Sequence, residues 1–127
     1  MLKITDFGEA TVFKHVSNLI VSDGLCGSIP YMAPEVFHQQ YDPSQADVWS
    51  AAIVYFCMRL KGVPFFSATM SDPNYRLYQR DYTKKQYPAF DVLDNQTQDL
   101  LYNMLNPNPK NRFTIQTVLD LPWIADV

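Results

Sequence analysis

Between Val48 and Met58 the sequence reads Val-Trp-Ser-Ala-Ala-Ile-Val-Tyr-Phe-Cys-Met, eleven residues without a charge. A membrane helix needs roughly twice that length, so the run is read as a helix inside a protein. Asp42-Pro43-Ser44 supplies its start, with proline in the first turn and Asp47 near the positive end of the helix dipole. Val48, Trp49, Ala52, Ile53, Tyr55 and Phe56 occupy nearly the whole circumference. The helix is therefore expected to run to about Leu60, surrounded by other elements, and to form the centre of the fold.

The remaining text supplies what packs around it. Leu2 and Ile4 alternate with Lys3 and Thr5, the period of a short half-buried strand, which Asp6-Phe7-Gly8 ends. From Glu9 to Pro34 glycines and prolines at Gly24, Gly27, Pro30 and Pro34 break any period, which predicts a long loop. Gly62-Val63-Pro64 stops the central helix, and a weaker helical pattern over Asp72 to Arg80 carries Tyr75 and Tyr78. Asp94-Asn95-Gln96 reads as the cap of a further helix with Leu100, Leu101, Met104 and Leu105 as its apolar stripe. The turn Asn106-Pro107-Asn108-Pro109 ends it, and Thr114 caps a last helix bearing Val118 and Leu119, which Pro122 closes. No repeat or low-complexity tract divides the chain.

At 127 residues the chain fits one domain, able to bury roughly two thirds of the surface of its unfolded form. A net charge of -3 offers no basic field for a phosphate backbone, which argues against nucleic acid as a partner. Cys26 and Cys57 stand far apart with no metal-ligand spacing, so free thiols in a reducing compartment are expected. Met1 to Thr5 carry no signal-peptide pattern and no transmembrane segment is read, so the expected location is cytoplasmic. His15 and His38 have neither a serine nor a carboxylate arranged beside them for nucleophilic catalysis and are read as loop or surface residues.

Asp-Phe-Gly at residues 6–8 is weak evidence alone. It gains weight from Ala33-Pro34-Glu35 downstream, then Asp47-Val48-Trp49-Ser50 opening the apolar helix, then Arg112 after the Pro-Asn turn. This ordered set, spanning essentially the whole chain, resembles the C-terminal lobe of eukaryotic protein kinases, and Gly27-Ser28 before Tyr31-Met32-Ala33-Pro34-Glu35 resembles the serine/threonine branch. Leu25-Cys26-Gly27-Ser28, Tyr41-Asp42-Pro43 and the text from Asp47 to Met58 are similar to the fungal halotolerance and nitrogen-permease-reactivator kinases, which regulate plasma-membrane transporters. Ile29 stands where that group carries an acidic residue.

The resemblance implies a mainly α fold: the C-lobe of a protein-kinase-like domain, with a short N-terminal β-strand and a long activation-segment loop. One partial kinase domain, 1–127, divides into strand and activation segment at 1–35 and helical lobe at 36–127. It implies ATP and Mg as cofactors and a protein as substrate; the sequence leaves any oligomeric state open. Asp6 is the implied metal ligand, since phosphoryl transfer needs the phosphate charge neutralised by a hard cation that takes carboxylate oxygens. With Phe7, which packs to set active and inactive states, and Gly8, which supplies backbone freedom, it forms the implied cofactor-binding motif.

Ser28, Ile29, Pro30 and Tyr31 are the implied substrate-docking loop, and Ser28 matches the hydroxyl that bonds the catalytic aspartate. Glu35 and Arg112 are implied to form a structural ion pair, buried by expectation. Asp47 is implied to support the catalytic loop, and as a bare helix N-terminal carboxylate it contributes under about 1 kcal/mol. Ala52 replaces a family glycine, which suits a helix interior. Ser17 and Ser22 are candidate phosphosites, although Gly24 stands where many kinases place an activating phosphothreonine, with Asp23 beside it as a fixed charge. The tyrosines at 75, 78, 82 and 87 are read as core and rim packing, with partner docking as the alternative.

Three parts of a kinase are absent from the text: a glycine-rich loop, a lysine paired with a helix glutamate, and the catalytic-loop aspartate and asparagine. The four glycines make no Gly-x-Gly-x-x-Gly. The expectation is a kinase truncated at its N-terminus, with the catalytic aspartate upstream of Met1 and no catalytic residue in these 127 residues. Without a base or phosphate cradle, such a chain is inert alone. The alternative is a non-catalytic kinase-like binding or scaffold module.

Overall fold

A computed structural model of the protein describes residues 1–10, 20–21, 28–38 and 40–126. The charge-free run forms helix α1, Pro43–Leu60. Asp42 caps it by accepting the Ser44 N–H at 2.9 Å, which satisfies one of the donors every helix N-terminus leaves free. Lys61 ends it in the left-handed region (φ 58°), its N–H returning to the Cys57 carbonyl.

Four further helices follow: α2 (Pro73–Asp81), α3 (Asn95–Met104), α4 (Ile115–Leu119) and α5 (Pro122–Ala125). The first three start with one chemistry, an oxygen-bearing side chain accepting backbone N–H groups, whereas α5 follows Leu121 without a side-chain cap. Asp72 serves Asn74 and Tyr75, and Asp94 and Thr114 each serve the residue three positions on, both Thr97 and Thr117. Short 3-10 turns at Ile29–Tyr31, Pro34–His38, Tyr82–Lys84 and Pro88–Phe90 complete the framework.

The core is aromatic. Trp49 and Phe56 of α1 meet Phe65, Tyr75 and Phe90, while Tyr78 lies among Phe65, Tyr87, Phe90 and Tyr102. Such rings add about 0.5–1.5 kcal/mol per well-oriented pair beyond the area they bury. The tyrosine hydroxyls among them are satisfied: the Tyr78 hydroxyl donates to the Leu105 carbonyl at 2.7 Å, the Tyr87 hydroxyl to the Pro64 carbonyl at 2.9 Å, and the Tyr102 hydroxyl accepts the Tyr87 N–H at 2.7 Å. Tyr75, Tyr78 and Tyr87 are buried, which leaves none of the three free for docking; Tyr82 is partly exposed.

The mainly α architecture agrees with the sequence reading, and four of its details do not. The strand expected over Leu2–Thr5 is absent: residues 1–7 are irregular and exposed, because an alternating segment becomes a strand only with a neighbour to bond, and no described residue pairs with it. Within the long loop, β1 (Ile20–Val21) instead pairs antiparallel with β2 (Gln40–Tyr41), Ile20 opposite Tyr41. Pro122 does not close the last helix but opens α5, since a proline lacks only a donor that the first turn would leave unused. Nor is α1 surrounded. Val48, Trp49, Ala52, Ile53 and Phe56 are buried, whereas Asp47, Ala51, Val54 and Met58, spaced along one side, are exposed because no described element lies over them.

Candidate functional site

A buried polar cluster gathers where α1 begins. Arg112, on the loop before α4, is 0% exposed, and Glu35, in the 3-10 turn Pro34–His38, is 10% exposed. Their contact is a fork: Arg112 Nη1 donates to Glu35 Oε1 at 2.6 Å and Nη2 to Oε2 at 2.9 Å. Two further guanidinium donors are used, Nε on the Asn106 carbonyl at 3.0 Å and Nη1 on the Gln45 carbonyl at 2.7 Å. The guanidinium also stacks over the Trp49 ring, 5.2 Å from its centroid. Burial of this pair is offset by these bonds and the ring contact, which is the condition for a buried charge pair to hold.

Gln45 completes the junction from α1, its amide donating to the Pro109 carbonyl at 2.9 Å and the Arg112 carbonyl at 3.2 Å. Nothing in the sequence singles it out, since its partners lie more than sixty residues away. The Trp49 indole N–H is the exception here: it is buried without a hydrogen-bond partner among the described residues.

One turn further along α1, Ser50 donates to the Tyr31 carbonyl at 2.7 Å, which fixes the turn Ile29–Tyr31 against the helix. Sequence reasoning missed this contact too. The Tyr31 phenol is pushed above its usual range, first by its electrostatic interaction with the neighbouring Cys57 and then by their hydrogen bond. Proline at the first or second position holds the turn's φ, while Ser28 and Ile29 stand exposed at its entrance, and the Ser28 hydroxyl makes no cap. The predicted docking residues thus form one continuous turn, anchored at Tyr31 by Ser50 and four residues later by Glu35.

Asp6 adopts φ 63°, in the left-handed region that aspartate enters more readily than most residues. Its carboxylate is exposed and bonded to no described residue. A turn follows, closed by the Ala10 N–H on the Phe7 carbonyl at 3.0 Å. Phe7 is 69% exposed and so unpacked, against the expectation that it packs, because no described element covers residues 1–10. A Cβ on Gly8 would meet only Asp6 Oδ1 at 3.7 Å, so this conformation places no demand for glycine there.

Asp47 is exposed by surface area and bonds no described residue, yet desolvation by the adjacent fold pushes its carboxyl above the usual carboxylate range. His38 is exposed. Ser17, Ser22, Asp23, Gly24, Cys26, Gly27 and His15 lie outside the described residues. Among the described residues no group of three or more histidine, cysteine or carboxylate side chains could hold a metal ion, and no helix is long and apolar enough to cross a membrane.

Comparison with known proteins gives this geometry a context. The family model described as protein kinase domain matches residues 1–124. The chain is 40% identical to the serine/threonine-protein kinase ppk8 of Schizosaccharomyces pombe over 99% of its length and 26% of that protein's. It is 34% identical to the serine/threonine-protein kinase HAL4/SAT4 of Saccharomyces cerevisiae, over 100% of this chain and 22% of the relative. With the serine/threonine-protein kinase chk1 of Schizosaccharomyces pombe it shares 33% identity over 98% of this chain and 25% of the relative. The chain therefore spans about a quarter of the length of these relatives.

Proposed function

We propose, because this chain belongs to the protein kinase domain family and within it to the serine/threonine kinases, that it is the helical part of an enzyme moving the ATP γ-phosphate to serine or threonine hydroxyls of proteins. The observation that carries this reading is the bidentate Glu35–Arg112 pair, which, through Arg112 on the Gln45 carbonyl and together with Ser50 on the Tyr31 carbonyl, holds the Ile29–Tyr31 turn and the end of its segment to the central helix. A docking turn so held can present a protein hydroxyl in one place, and positioning is most of what phosphoryl transfer asks of a protein.

Asp6 fits one ligand position of a magnesium ion: a free, exposed carboxylate supplies the hard oxygen that magnesium selects, and the ion commonly takes one or two carboxylates plus the phosphates. Bound there, magnesium would neutralise charge on the phosphates. The protein's part is Asp6 to hold it, Ser28 to Tyr31 to receive the substrate chain, and Asp47 to support the residues that carry the base. Ser17 and Ser22 are regulatory acceptors in this reading. Regulation of plasma-membrane transporters from the cytoplasm is the setting that the likeness to the halotolerance group supports.

The chain by itself is inert in this reading, because its sequence holds no glycine-rich phosphate loop and no catalytic-loop base. The test is transfer of labelled phosphate from ATP to serine, threonine and tyrosine peptides. The 127-residue chain should give no turnover. A polypeptide joining it to a glycine-rich loop, the paired lysine and the catalytic loop should label serine and threonine, and lose about a hundredfold to a thousandfold on Asp6→Asn, as when one electrostatic element is removed. Turnover by the chain alone refutes the inactivity, and labelling confined to tyrosine refutes the substrate class.

A further inference from the structure

Four of the ten cations of this acidic chain fall within residues 76–85: Arg76, Arg80, Lys84 and Lys85, opposed there only by Asp81. Four positive charges less one leave +3 on ten residues, in a chain whose total is -3, so all its other residues together carry -6. Arg76 and Arg80 are one turn apart on α2 and share a side of it, and Lys84 follows in the 3-10 turn Tyr82–Lys84 that continues the helix. All three are exposed, Arg80 remaining 72% exposed although it forks onto Asp81 at 2.8 and 3.0 Å. Lys85 is engaged separately, by Asp99 at 2.7 Å.

This row continues into an apolar edge. Arg76 donates to the Met70 carbonyl at 2.8 Å, so its head lies on the loop that leads into α2. Met70 is 58% exposed there, and Phe66, 74% exposed, is held at the same end of the helix by its N–H bond to Asp72 at 2.8 Å. Four backbone N–H groups, those of Phe66, Ser67, Asn74 and Tyr75, converge on the Asp72 carboxylate, so the two bulky side chains stand on a braced loop.

We propose that the face formed by Phe66, Met70, Arg76, Arg80 and Lys84 docks an acidic segment of a partner protein that carries a bulky apolar residue at one end. Charge complementarity chooses the carboxylate-rich partner, and exposed apolar side chains beside the cations supply the anchor that rim charges alone do not. A protein segment fits better than an anionic membrane. A planar surface acts on every charge within a Debye length of about 10 Å, including Asp81 and the acidic remainder of the chain, whereas a peptide touches only the row.

The test is fluorescence anisotropy with the 127-residue chain and a fluorescein-labelled peptide of aspartates and glutamates beside a Leu-Phe pair. The control peptide has each carboxylate replaced by its amide. The acidic peptide should bind at least about tenfold more tightly than the amide form, and weaken several-fold between about 0.05 and 0.5 M salt. The double variant Arg80→Glu, Lys84→Glu, which leaves every buried contact in place, should lose about tenfold in affinity, and Phe66→Ala with Met70→Ala several-fold, with the circular-dichroism melts unchanged. Equal binding of the two peptides overturns the proposal, as does either double variant binding like the parent. So does saturable binding to phosphatidylserine vesicles without binding to the acidic peptide.

Discussion

Arg112 and Glu35, 77 residues apart in sequence, face each other with one carboxylate oxygen on each terminal guanidinium nitrogen, at 2.6 and 2.9 Å. Both are nearly enclosed, so removing one partner strands the other. Glu35→Gln is expected to destabilise the chain by about 3 kcal/mol, within the range for breaking a buried pair. Chemical denaturation at neutral pH measures it. In a double-mutant cycle with Arg112→Met, the two losses should sum to more than the double variant shows, by about 1 kcal/mol or more; additivity would mean that the pair is not coupled.

Asp72 gives a pH dependence whose sign follows from its surroundings. Burial alone would raise its carboxyl, but the N–H groups of Tyr75, Ser67, Phe66 and Asn74 outweigh that and lower it below the ordinary value of 3.8. A carboxylate whose folded value is depressed adds stability above its unfolded value and loses that contribution as pH falls through the folded one. Stability should therefore fall from pH about 4 downward, and more shallowly in Asp72→Asn than in the parent. At neutral pH the Asn variant should itself be less stable by about 1–2 kcal/mol, because its amide nitrogen cannot accept one of the two pairs of N–H bonds that the carboxylate oxygens take. Parallel acid profiles for the two proteins would remove Asp72 from the account.

Local signals in the text carried further than distant ones. Asp42, Asp94 and Thr114 announce their helices because a cap bonds within three residues of itself, so sequence order alone exposes it. The tyrosines near α2 were legible as a packing cluster through their spacing. Their hydroxyl bonds to the Leu105 and Pro64 carbonyls were not, since nothing marks a carbonyl as an acceptor. Gln45 and Ser50 were invisible for the same reason. Leu2 and Ile4 misled because alternation records only which side chains could share a face, and the partner strand that would use that face is not among the described residues. The kinase family was legible from the order of its motifs, not from any geometry they implied.

The buried phenols predict the alkaline limit of the fold. Desolvation, the largest cause, pushes Tyr87 up to about 12, and burial also raises Tyr75, Tyr78, Tyr82 and Tyr102 above 10.0. A raised folded value means the neutral form is favoured, so this stability is complete below the unfolded value near 10 and disappears as pH climbs toward 12. Titration followed by ultraviolet absorbance should show these tyrosines ionising late and together with loss of the fold, not one by one from pH 10. Tyr87→Phe, which leaves the Pro64 carbonyl without its donor, should cost about 1–2 kcal/mol at neutral pH.

Helix α1 offers the sharpest contrast, because its two faces place similar side chains in opposite surroundings. Phe56 is buried against Phe90, and Phe56→Ala removes a ring from a packed core, at an expected cost of about 3–5 kcal/mol. Met58, two positions on, is 67% exposed, so Met58→Ala removes atoms that water already touches and should change stability by no more than about 0.5 kcal/mol. Both substitutions keep helix propensity, since alanine is the strongest helix former, so the difference isolates burial. Chemical denaturation of the two variants beside the parent decides it. A cost for Met58→Ala approaching that for Phe56→Ala would mean that this face is covered when the chain folds, and that α1 is enclosed as its sequence pattern predicts.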